Sequence, residues 1–158
     1  MTRSIQYRER LTDSNRERNA EEAERILRSN ITNVLYPNRP KNPLLPTLSL
    51  QEHTGTYEDV GYGRITFTTG THPASPDETT LVAERMDRAW NETVRLEHIS
   101  GDYWIWRSYV AHGPIEPVAA FKTEFKVGPE GIISGLEVVN FELTEGVDDG
   151  IISYKKLD

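Results

Sequence analysis

From Leu48 onward, apolar and polar residues alternate with period two in short runs separated by Gly, Pro, Asp or Asn, and no other feature constrains the fold of this chain as strongly. Ile65 and Phe67 alternate with Arg64, Thr66 and Thr68. Val94 and Leu96 alternate with Arg95 and Glu97, and Phe121, Thr123, Phe125 and Val127 with Lys122, Glu124 and Lys126. Successive side chains of a strand point to opposite faces, so each run predicts a strand with one dry and one wet face. The same reading predicts strands near 54–60, 79–86, 102–109, 132–143 and 150–157, about eight in all. In Thr54–Phe67, "TGTYEDVGYGRITF", a strand rather than a helix follows the glycines, so the stretch reads as a hairpin and not as a phosphate cradle. Gly128-Pro129-Glu130-Gly131 supplies another tight turn, and a phase slip at Val138-Val139 predicts a bulge or bend. A meander of this kind, with no βαβ spacing, loses its exposed edges by closing on itself. The expected fold is mainly β, a small antiparallel up-and-down barrel over 48–158. Eight strands enclose room for packed side chains or for one small ligand.

The segment before it is different. Residues 1–13 carry no apolar periodicity and read as a disordered arm. Ser14-Asn15-Arg16-Glu17 has capping-box spacing, and Ala20, Ala23, Leu27, Ile31 and Val34 recur at steps of three and four. One amphipathic helix is therefore expected over 14–36. Pro37, Pro40, Pro43 and Pro46 follow at intervals of three, the repeat of a polyproline helix, which predicts a stiff linker over 37–47 on the order of 30 Å long if extended.

Composition narrows the function. With 18 Lys and Arg against 25 Asp and Glu, the formal charge of −7 disfavours nucleic acid and anionic membrane as partners. There is no cysteine, hence no catalytic thiol, disulfide or Cys-based zinc site, and a reducing, cytoplasmic setting is expected. The sequence shows neither the apolar core of a signal peptide nor a run of about 18–20 apolar residues.

Candidate chemistry is sparse. His53, His72, His98 and His112 have no metal-ligand spacing, so no metal or cofactor is expected. Ser153-Tyr154-Lys155-Lys156 fits the Ser-x-x-Lys nucleophile motif, yet in a strand positions three apart face opposite ways, so Lys156 is not placed to serve Ser153. The aromatic strand Asp102–Tyr109 puts Trp104 and Trp106 on one face and Tyr103, Ile105 and Tyr109 on the other. One set is expected to fill the barrel and the other to meet a helix or partner, because large aromatic patches are rarely left to water. Trp90, Tyr103, Trp104, Trp106 and Tyr109 are accordingly the candidate ligand or interface residues, and no catalytic residue is assigned.

Three stretches, "LSLQEHTGTYEDVGYGRITF", "LVAERMDRAWNETVRLEHISGDYWIW" and "AAFKTEFKVGPEGIISGLEV", resemble the lipocalin-like domain that follows the catalytic domain in beta-lactamase-related serine hydrolases, the penicillin-binding-protein-like group, particularly its fungal members. The resemblance covers roughly residues 48–157. It implies a lipocalin-like barrel serving as a non-catalytic accessory module that docks on a serine-hydrolase domain, in cis or in trans, or assists substrate binding. None of that family's nucleophile, Lys base or Tyr elements maps onto a position here. The alternative expectation is a stand-alone barrel that binds, and isomerises or cyclises, a small hydrophobic metabolite held between Trp90, Trp104, Trp106 and Tyr109.

Overall fold

The computed structural model describes residues 14–19, 21–22, 30–86, 91–113, 118–141 and 148–157. It is mainly β: a closed antiparallel barrel of eight strands in sequence order, with short helices before it. The strands are β1 (Gly55–Asp59), β2 (Gly63–His72), β3 (Ser75–Arg85), β4 (Glu92–Ser100), β5 (Tyr103–Val110), β6 (Ala119–Val127), β7 (Ile133–Phe141) and β8 (Asp148–Lys156). The barrel closes where Tyr57 pairs with Lys156 and Glu58 with Lys155, and Leu157 N–H adds a 2.9 Å bond to the Thr56 carbonyl. Among the described residues, no helix is long and apolar enough to cross a membrane.

The chain divides into two compact units, Met1–Val34 and Leu35–Asp158. In the first, residues 14–19 and 21–22 are helical, and Arg18 binds back to the Asn15 side chain at 2.6 Å. Of the stretch 14–36 expected as one helix, residues 14–19, 21–22 and 31–35 are helical among those described. Asn30 is a turn, and a separate short helix α1 (Ile31–Leu35) starts there, with Val34 N–H bonded to the Asn30 carbonyl at 3.0 Å. Asn30 also takes a side-chain bond from Asn33, the local competition that makes asparagine favour helix starts. The expected stripe residues Ala20, Ala23 and Leu27, and the arm over 1–13, lie outside the described residues.

Within the second unit, the end of the proline-rich segment is bonded to the barrel. Leu44 N–H donates to Ser100 Oγ at 3.0 Å, and Gly101 N–H returns a 2.9 Å bond to the Leu44 carbonyl. Thr47 N–H and Oγ1 bind the two carboxylate oxygens of Asp102 at 3.0 and 2.7 Å. Farther back, the Tyr36 hydroxyl donates to the Trp104 carbonyl at 2.9 Å and accepts the Thr123 N–H at 3.3 Å. Trp104 and Thr123 are opposed in register, so this hydroxyl bridges β5 and β6. Burial of the phenol raises its pKa to about 12, and it stays a neutral donor. The segment is a strap on the barrel wall, because the backbone donors between its prolines find acceptors on the β4–β5 turn.

A 3-10 turn η1 (Leu50–His53) then leads into β1, where the period-two reading had already begun. Ser49-Leu50-Gln51-Glu52 is a capping box: the Glu52 carboxylate accepts both the N–H and the hydroxyl of Ser49 at 2.8 Å, and these bonds hold its pKa below the usual carboxylate range. The η1 turn seats His53 in the core, edge-on to Phe125 at 4.7 Å.

The barrel interior is filled. Tyr57, Phe67, Trp104, Trp106, Phe125 and Tyr154 anchor one core cluster together with Leu81, Leu96 and Leu136. Tyr57 packs edge-to-face on Phe67 and Phe125 at 6.0 and 5.9 Å, and Phe67 meets Trp106 at 5.7 Å. Each large side chain buried in this way contributes about 1.5–3 kcal/mol. The irregularity expected around Val138-Val139 is one of two register shifts along β7. The register shifts once where Val127 and Lys126 meet Ile133 and Gly135, and again between Val139 and Phe141. Gly135 stands beside the first shift: a Cβ there would lie 2.2 Å from the Tyr154 carbonyl oxygen, so β7 and β8 approach too closely for any other residue.

A lateral cleft as the candidate functional site

Strand alternation decides which side chains look outward. On β2 the buried Ile65 and Phe67 leave Thr66 and Thr68 outside; on β3 the buried Leu81 and Ala83 leave Val82 and Glu84 outside. Thr93 of β4 and Tyr109 of β5 are opposed in register and continue the same outer surface. These residues floor a cleft of about 630 Å³, whose walls are the β2–β3 tip, with His72 and Pro73, and the turn after β5, with Ala111, His112 and Gly113. That volume is in the range of small-molecule sites.

The β2–β3 tip is latched over this wall. Four residues of β3 bulge against one of β2 between the Gly70–Thr80 and His72–Ser75 pairs. His72 Nδ1 accepts the Ala74 N–H at 3.0 Å, which leaves the ring proton on Nε2 to donate to Thr93 Oγ1 at 3.0 Å. Its ring lies 4.2 Å from that of Tyr109, whose hydroxyl receives Arg95 Nε at 3.4 Å. Burial, and secondarily the Arg95 charge, hold the His72 pKa below the ordinary histidine value. On the opposite wall His112 has φ 62°, the one non-glycine residue with positive φ among those described. A β-carbon in that conformation is strained, and such strain tends to collect at sites of function.

A second polar group is built into the barrel beside the core. Trp106 Nε1 donates to Ser108 Oγ at 3.0 Å, and Ser108 in turn binds the Glu92 carboxylate. Arg85, 6% exposed, binds the Tyr62 carbonyl and lies against the Tyr154 hydroxyl, whose pKa burial raises. The group gives Trp106 Nε1 and Ser108 their partners, while Arg85 Nε is buried without a hydrogen-bond partner.

The sequence-derived candidates are scattered by the fold. Trp104 and Trp106 are buried in the core, Tyr109 is on the opposite face of the same strand, and Tyr103 is exposed beside Tyr36, with ring centroids 6.3 Å apart. Trp90 lies outside the described residues. Of the described members of this set, only Tyr109 lines the cleft. His72, Glu84, Thr93 and His112 share no spacing in the chain, and only the barrel wall brings them together. The histidines that looked unrelated in sequence divide into two pairs: His72 and His112 line the cleft, while His53 and His98 flank Trp104 at 5.7 and 4.8 Å.

Ser153 and Lys156 lie on β8 and face opposite ways, and Lys156 Nζ is spent on the Glu52 carbonyl at 3.1 Å. Among the described residues, no group of three or more His, Asp or Glu is placed to hold a metal ion.

Fold and cleft together define a small, side-chain-filled antiparallel barrel with its open site on the outer wall. The chain belongs to the family described as Domain of unknown function (DUF3471), whose sequence model matches residues 39–149. No curated protein and no solved structure matches the chain. The family match begins inside the strap at Arg39, in keeping with the hydrogen bonds that make residues 44–47 part of the barrel unit.

Proposed function

We propose that this barrel is a non-catalytic accessory module of the beta-lactamase-related serine hydrolases of fungal type, docking on a hydrolase domain in cis or in trans. The observation that carries the non-catalytic part of this reading is the separation of Ser153 from Lys156: the one nucleophile motif in the sequence is held in a strand, with its ammonium group engaged elsewhere. A nucleophile needs its base within hydrogen-bond reach. The three stretches that resemble the hydrolase-associated domain support it, and so does the match over 39–149. Exposed Val110 at the end of β5 and Val118 just before β6, whose N–H bonds the Ser108 carbonyl at 2.8 Å, supply apolar surface suited to docking. The lack of cysteine favours a cytoplasmic setting. In assay, the purified chain should hydrolyse neither a chromogenic beta-lactam nor a nitrophenyl ester above buffer. Turnover that disappears in Ser153→Ala would overturn the reading.

A second reading, a barrel that binds a small hydrophobic metabolite, is favoured by the 630 Å³ cleft. It moves the ligand from the tryptophans to the outer wall, because the interior is occupied by the core aromatics.

A further inference from the structure

The charge in the lateral cleft is one-sided. Among the described residues, neither lysine nor arginine lines it, and Glu84 is the one carboxylate. Arg95, a buried cation on the same wall, is 9% exposed, directs Nε to the Tyr109 hydroxyl, and is not part of the lining. Val82, Met86, Val110 and the Tyr109 ring provide an apolar bed, while the Thr68 and Thr71 hydroxyls and the His112 ring are the polar groups available besides Glu84. His72 offers little further: both its ring nitrogens are engaged with Ala74 and Thr93.

We infer that the cleft binds a small organic amine, with its aromatic or aliphatic body on Val82 and Tyr109 and its ammonium group directed to Glu84. This rests on the ligand-binding reading above and adds the chemical class of the ligand. An apolar pocket with a few polar groups gains orientation and specificity from those groups, and here the fixed charge among them is negative. A cation beside an aromatic face adds a further attraction. Glu84 is exposed, so the charge contribution is modest and falls as salt screens it.

The test is an amide-resolved NMR titration of the full chain with phenethylamine, 2-phenylethanol and 3-phenylpropionate, which share a phenyl body and differ in charge. Phenethylamine should shift the amides of Thr68, Val82, Glu84 and Tyr109 to Gly113, binding about threefold or more tighter than the alcohol at low salt and tighter still than the acid. The preference should shrink in 0.5 M salt and vanish in Glu84→Gln, which keeps the bed intact. Val82→Trp should block all three ligands; Thr68→Trp gives the same block from β2 if the first variant loses its dispersed spectrum. Equal binding of the three ligands, or an amine preference that survives Glu84→Gln, overturns the amine assignment and leaves the cleft reading standing. If none of the three moves the cleft amides, the ligand-binding reading itself fails.

Discussion

The imidazole of His72 lies 4.2 Å from the Tyr109 ring at an interplanar angle of 33°, and this contact ties the β2–β3 tip to β5 across two intervening strands. The latch depends on a neutral ring. Nδ1 is an acceptor for Ala74, and a proton there would remove that bond and set a second cation beside Arg95.

Acid should therefore weaken the protein earlier than carboxylate titration would. His72 and His53 both have depressed native pKa values, burial being the main cause for each. As pH falls below about 6.5, the unfolded chain takes up these protons before the native chain does, so stability is present above that pH and is lost on acidification, by at most about 1.4 kcal/mol per pH unit per histidine. Urea melts from pH 7.5 to 5 should show the decline, and His72→Gln should flatten it. A His72 ring titrating in NMR at or above the ordinary histidine value would contradict this.

Gly135→Ala should damage the β7–β8 contact, since the added methyl meets a backbone carbonyl and not a flexible side chain. A loss on the order of 3 kcal/mol is expected, or roughly 6–12 °C in Tm for a chain of this size. The same substitution at Gly61, where a Cβ would be 3.4 Å from the Asp59 side chain, should cost well under half as much.

Tyr36→Phe removes the hydroxyl that bridges Trp104 and Thr123. Loss of these bonds should cost about 1–2 kcal/mol and speed amide exchange at Thr123 in particular. Unchanged exchange there would show that the strap is not anchored through this residue.

Trp106→Ala should cost about 3–5 kcal/mol, because the indole is 3% exposed and fills the barrel between Phe67 and Tyr154. Ser108→Ala, which removes the acceptor of Trp106 Nε1, should cost about 1–3 kcal/mol. Thermal melts of both variants check the order.

Much of the barrel was readable from alternation. The dry faces expected from Ile65 and Phe67, and from Val94 and Leu96, are the faces that pack in the core, and Trp104 and Trp106 point inward together. Features set by contacts distant in sequence were not readable. The proline repeat predicts local geometry truthfully only if nothing competes, and here Ser100 and Asp102, more than fifty residues away, capture Leu44 and Thr47. The Ser49–Glu52 box is legible in the sequence but falls where the period-two pattern predicts strand, and it starts a 3-10 turn instead. The cleft was the least visible feature: His72, Glu84, Thr93, Tyr109 and His112 come from four strands and one turn, and their meeting follows from barrel closure and the β3 bulge.

The most direct measurement is made on a beta-lactamase-like serine hydrolase domain, assayed alone, fused at its C-terminal end to this barrel, and mixed with it in trans. The account predicts that the barrel alone gives no turnover, while its addition raises the Tm of the hydrolase domain or changes its KM. A barrel that hydrolyses substrate by itself, or a hydrolase domain whose melting and kinetics are the same in all three states, would contradict it.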